Sequence, residues 1–125
     1  MARNVEALLV YQKAVAASAE ISAIIRRPVF RQDRRLRDQL GSASERVIST
    51  IAEGSEQSTD RYYAQYLYRS RGSSREVRTQ LIVACQRRYI TEDERVDLSR
   101  KYEEIGKMLT GLIRYLQACD GENRP

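Results

Sequence analysis

The amino-acid sequence predicts an all-α protein, an antiparallel up-down-up-down four-helix bundle, and three observations carry that prediction. Four segments place apolar residues at spacings of three and four. Short breaks separate them, the first marked by Pro28 and the second by Gly54 and the polar run after it. No stretch alternates apolar and polar residues for long enough to make a strand.

The first segment runs from about Val5 to Arg26, with Val5, Leu8, Val15, Ala19 and Ser22 as its apolar or small face. Pro28 ends it, because proline lacks a backbone donor and disfavours helix at the residue before it. The second covers Gln32 to Gly54, with Leu36, Leu40, Ala43, Val47 and Ile51 on one face. Gly54 is expected to close it in the left-handed conformation that helix ends favour. The third spans Thr59 to Arg88 and carries a heptad seam: Tyr63, Leu67, Ser70, Ser74, Val77, Leu81 and Ala84. The fourth opens on a capping box, Thr91 with Glu94, and follows the seam Leu98, Tyr102, Ile105, Leu109, Leu112 and Leu116. Connections of about two to five residues force consecutive helices antiparallel. Residues 1–120 therefore form one bundle domain, followed by a short polar tail at 121–125. Gly41, Gly72, Gly106 and Gly111 fall inside helices, where each costs up to ~1 kcal/mol relative to alanine. Close approach of another backbone, within the bundle or between subunits, is the expected reason, with plain tolerance the alternative.

The chain has 125 residues, enough for one domain with a real core. No apolar run approaches the ~20 residues that span a bilayer, and the N-terminus lacks a signal-peptide pattern. Cytoplasmic residence is the default expectation. Cys85 and Cys119 fall at apolar helical positions and are expected to be buried thiols. With no histidine, a Ser-His-Asp arrangement is impossible and an ordinary zinc site is excluded. Glu53, Glu56 and Asp60 form the only acidic group that invites a magnesium ion, but it lies at a helix end and a polar loop, where solvated acids are ordinary. The expectation is a binding protein with no cofactor, no metal and no catalytic residues.

Net charge is +5, and 19 of the 22 basic residues are arginine. Arginine forks match phosphate and stack on bases in a way lysine does not. One group, Arg26, Arg27, Arg31, Arg34, Arg35 and Arg37, occupies the first connection and the start of helix two. A second belongs to helix three, where Arg71, Arg75 and Arg78 are spaced i, i+4, i+7 and share a face. Residues 91–118 carry six acids against five bases, so the excess positive charge falls on helix three and the front of helix two. The candidate nucleic-acid contacts are Arg34, Arg35, Arg37, Arg71, Arg75 and Arg78. A solvated arginine face remains the plain alternative. Tyr62, Tyr63, Tyr66 and Tyr68 neighbour the second group, and Tyr62 and Tyr66 lie off the seam that holds Tyr63. Exposed tyrosine beside arginine suits base stacking or a protein interface.

Four strings carry a family resemblance: Leu9-Val10-Tyr11-Gln12-Lys13-Ala14, Ile51-Ala52-Glu53-Gly54, Arg71-Gly72-Ser73-Ser74-Arg75-Glu76, and the run from Glu104 to Ile113. Together they resemble the bacterial four-helix-bundle family of the ribosomal-RNA intervening-sequence proteins. That family includes the accessory variability-determinant proteins of diversity-generating retroelements. Thr50 stands where the family usually has asparagine, and Val29-Phe30 where it often has proline, which leaves the subgroup open. The resemblance implies a homopentameric barrel of bundles that binds structured RNA and assists a reverse transcriptase. An alternative stays open beside it: an intervening-sequence-encoded bundle acting as a protein–protein adaptor, its RNA contacts incidental. A small magnesium-dependent nuclease built on Glu53, Glu56 and Asp60 is a third reading.

Overall fold

The computed structural model describes residues 4–122, with side chains through Cys119. A single 3-10 turn, Val5–Ala7, leads into α1 (Leu9–Ile25), and a second, Pro28–Gln32, leads into α2 (Arg34–Ser55). Helices α3 (Asp60–Gln86) and α4 (Glu92–Glu122) follow, and no strand occurs among the described residues. Each helix packs on its sequence neighbours, and α4 closes the ring against α1. The four-helix bundle expected from the periodicity is present.

Local chemistry sets the helix starts. Asp33 caps α2, its carboxylate accepting from the Leu36 amide at 3.3 Å. Thr59 caps α3 through the Tyr62 amide at 3.1 Å. At α4 the capping box is reciprocal: the Glu94 amide donates to the Thr91 hydroxyl at 3.1 Å, and the Thr91 amide donates to the Glu94 carboxylate at 2.9 Å. Helix α3 ends in a Schellman pair, Tyr89 N–H to the Ala84 carbonyl and Arg88 N–H to the Cys85 carbonyl. That geometry puts Arg88 at φ 64°, a left-handed position where a side chain is strained. Arg88→Gly is therefore expected to raise stability by roughly 1 kcal/mol, read as a higher urea midpoint at unchanged slope. An unchanged midpoint would remove the strain from the account.

The seams of α2 and α3 are buried throughout, Leu36 to Ile51 and Tyr63 to Ala84. Their serines satisfy themselves across the interfaces. Ser70 donates to the Val47 carbonyl and Ser74 to the Tyr102 carbonyl, each at 2.8 Å, which ties α3 to α2 on one side and to α4 on the other.

Several expectations are corrected. The buried face of α1 is Val10, Ala14, Ala17, Ser18, Ile21 and Ile24, whereas Val15 is 43% exposed and Ala19 is also exposed. This helix is apolar nearly all round, so periodicity alone did not single out a face. Near the end of α4, Ile113 is buried and Leu112 only half-buried. The tail expected from residue 121 is helical through Glu122, and 123–125 lie outside the described residues. Gly54 is not left-handed but lies within α2. A Cβ there would stand 2.8 Å from the Tyr66 Cβ and 2.9 Å from Tyr63 Cδ1, so glycine is what lets α3 turn back tightly against α2. The other helical glycines do not serve backbone contact within the chain: Gly41 faces only Ile25 Cδ1 at 3.3 Å, and Gly72, Gly106 and Gly111 face open space. Both cysteines are free and half-buried instead of buried. The Cys85 thiol donates to the Glu92 carboxylate at 3.1 Å, and that bond, with burial, pushes its pKa up.

Two ion pairs close the end of the bundle where α1 meets α2 and α3 meets α4. Arg27 forms a bidentate pair with Glu94, one arm at 3.0 Å, and Arg87 pairs with Asp33, which also accepts from the Tyr89 hydroxyl at 3.1 Å. Hydrogen bonding from Arg27, with help from the Thr91 amide, holds the Glu94 carboxyl down at about 2. At Asp33, burial works to raise the carboxyl, but bonds from Arg87, Leu36 and Tyr89 outweigh it and keep it below the ordinary range. A carboxyl depressed in the folded state contributes stability that is full above its unfolded value, near 4.5 for Glu94, and is lost as pH falls toward about 2. The melting temperature is expected to drop through that window, and Glu94→Gln to melt lower at neutral pH with a flatter profile. Parallel profiles for variant and wild type would show that the pair contributes nothing.

Candidate nucleic-acid interface

On α3, Arg71, Arg75 and Arg78 line one wall of a groove of about 560 Å³ between α3 and α4. On α4, Lys107 and Arg114 line the other, with Glu103, Gly106, Thr110 and Gly111. Five cations thus face a single acid. Glu103 stands between Arg78 at 4.0 Å and Lys107 at 3.6 Å, so one carboxylate is shared by two cations. The Arg71 guanidinium donates to the Thr110 hydroxyl at 3.1 Å and covers the Tyr68 ring at 4.9 Å from its centroid. Among the described residues, Arg75 and Arg114 enter no ion pair. The groove is a concentrated positive field beside exposed helix backbone, suited to an anionic ligand and not to an apolar one.

The sequence signal for Arg71, Arg75 and Arg78 as one face is matched by the groove, but Arg34, Arg35 and Arg37 are not part of it. Arg37 lines a separate recess of about 330 Å³ with Ser22, Ile25, Arg26, Arg27 and Arg31, on the α1/α2 side. Arg34 and Arg35 are exposed in the first turn of α2. In a ring of four helices the α1/α2 and α3/α4 grooves open on opposite sides, so the two arginine groups form two surfaces. Two members of the α1/α2 group are already paired, Arg27 with Glu94 and Arg37 with Asp38 at 3.2 Å.

Lys107 and Arg114 escaped the sequence reading. Acids and bases nearly cancel over residues 91–118, but they separate by face. Glu104 pairs with Lys13 at 3.1 Å and Asp97 with Lys101 at 3.1 Å, on the side toward α1. Lys101 also reaches Glu20 at 2.8 Å. Glu92 and Glu94 serve Arg95 and Arg27 at the start of α4. The i, i+7 spacing of Lys107 and Arg114 was the available signal. Tyr62 is 52% exposed and Tyr68 43%, while Tyr66 is half-buried with the Arg69 guanidinium 5.0 Å from its centroid. Glu53, Glu56 and Asp60 do not converge, and no cluster of three potential metal ligands occurs among the described residues.

The sequence model of the 23S rRNA-intervening sequence protein family matches residues 6–111, most of the chain and all of the groove except Arg114. The chain belongs to that family. No curated protein matches it. Among solved structures, a protein of unknown function from the S23 ribosomal protein family of Bacteroides thetaiotaomicron superposes with a TM-score of 0.77. The match covers 84% of this chain and 98% of that one at 16% identity, a likeness of fold. No described helix of this intervening-sequence family member is long and apolar enough to cross a membrane.

Proposed function

We propose that this intervening-sequence family protein is a non-enzymatic, homo-oligomeric bundle that binds structured RNA along the α3/α4 groove. In this reading it assembles as a pentamer in the cytoplasm, without cofactor. It serves there as accessory factor to a partner, a diversity-generating-retroelement reverse transcriptase. The observation that carries the RNA reading is the groove itself, with cations on both walls and one acid between them. Clustered arginine is what phosphate neutralisation requires, and two of these cations have no counter-charge among the described residues. The α1/α4 side, by contrast, is balanced, Lys13, Lys101, Glu20 and Glu104 pairing among themselves.

A second reading, a protein–protein adaptor, is favoured by the large apolar side chains left exposed, among them Leu9 at 57% and Tyr115 at 65%. Affinity purification from the native host separates the two. A partner retained through RNA, and released by nuclease or by about 1 M salt, supports the RNA-binding function. A partner that survives both treatments transfers the groove to protein recognition.

A further inference from the structure

Gly106 and Gly111 sit in the interior of α4, where glycine weakens a helix, yet a Cβ at either would meet nothing within 4 Å. Gly54 shows the contrast, since crowding by Tyr63 and Tyr66 explains its glycine fully. The two α4 glycines are therefore unexplained by packing inside the chain. Both line the α3/α4 groove on the wall that carries Lys107 and Arg114, and their missing side chains leave bare helix backbone between two rows of cations.

Two buried polar groups among the lining residues also lack an answer inside the chain. The Arg78 Nε and the hydroxyl of fully buried Tyr102 have no hydrogen-bond partner among the described residues. An orphaned donor beside a cationic groove marks a place where an acceptor is missing. Tyr68 is not itself a lining residue, but it lies 43% exposed next to one: the guanidinium of Arg71, which lines the groove, covers one face of its ring, and Gln117 donates to its hydroxyl at 3.2 Å.

We propose that the groove takes one unpaired RNA strand, backbone inward. Phosphates lie between Arg71, Arg75 and Arg78 on one wall and Lys107 and Arg114 on the other. The ribose-phosphate chain comes close against α4 at Gly106 and Gly111, and a base stacks at Tyr68. This rests on the RNA-binding reading and narrows it to the loops and bulges of a structured RNA, not its helices. In the surface groove between two packed helices a single strand can follow the floor to the glycines, whereas a duplex rests a phosphate ridge on the rim. Bases in a duplex are already stacked and cannot use the tyrosine platform.

The test is fluorescence anisotropy on the full chain at one salt concentration, with labelled oligouridine and a labelled RNA duplex of equal length. Nonspecific charge attraction alone favours the duplex, which carries twice the phosphates. The expected result is single-strand binding at least about tenfold tighter than duplex binding, the scale of one stacked base. Gly106→Ala with Gly111→Ala is expected to raise the melting temperature by about 5 °C and to weaken single-strand binding about tenfold. Tyr68→Leu is expected to weaken the single strand and leave the duplex unchanged. Duplex binding as tight as single-strand binding overturns this inference and leaves RNA binding standing, as does an alanine variant with wild-type affinity. Failure of both RNAs to bind, with polyglutamate bound instead, overturns the RNA reading itself.

Discussion

Reversing Arg75 and Arg78 together to glutamate is expected to weaken RNA binding about 100-fold without unfolding the protein. Charge-assisted contacts contribute about 1.5–3 kcal/mol each, and reversal adds repulsion to their loss. Arg75 is exposed and makes no ion pair among the described residues, while Arg78 gives up the 4.0 Å approach of Glu103 and a buried Nε that has no partner, so little internal bonding is lost. Circular dichroism and a melting curve establish that the variant is folded. The matching reversal of Arg34 and Arg35, exposed in the first turn of α2 and outside the groove, is expected to have a much smaller effect on the same RNA. A folded Arg75/Arg78 variant with wild-type affinity would remove the α3 wall from the site.

The second large effect concerns stability. Gly54→Ala is expected to destabilise the bundle by about 1–3 kcal/mol, although alanine is the better helix former. The new methyl would overlap the Tyr66 Cβ and lie 3.3 Å from the Tyr63 carbonyl, so α3 itself has to move. Urea denaturation measures the change. The same substitution at Gly106 is expected to stabilise, because open space replaces the tyrosines. Equal signs at the two positions would mean that the α2–α3 approach is looser than its geometry.

Glycine marks the limit of what the sequence discloses. Gly54 and Gly106 look alike in one dimension, and only their neighbours in space separate a tight turn of chain from an open groove. The fold was more legible. Helices α2 and α3 alternate a narrow apolar seam with charged residues, so a spacing rule finds the buried face directly. In α1 most residues are apolar or small, and the face was decided by what α2 and α4 offered. The α3 wall of the groove was readable from Arg71, Arg75 and Arg78. Its α4 wall was hidden, because adding charges along residues 91–118 averages over faces that the ion pairs with Lys13, Arg27, Lys101 and Arg95 separate. The sequence separates the two arginine groups but not the grooves they enter, because sequence order carries no information about which groove each side chain faces.

If the α3/α4 groove holds RNA through its phosphates, the affinity of the purified chain for a structured RNA must depend steeply on salt, and a salt series measures this. Log affinity is predicted to fall linearly with log salt, by roughly 0.7–0.9 per phosphate contact, and to lose one to two contacts' worth of slope in the Arg75→Glu/Arg78→Glu variant. Absence of binding at low salt, or binding indifferent to salt, would contradict the account and leave the arginines as a solvated or protein-facing surface.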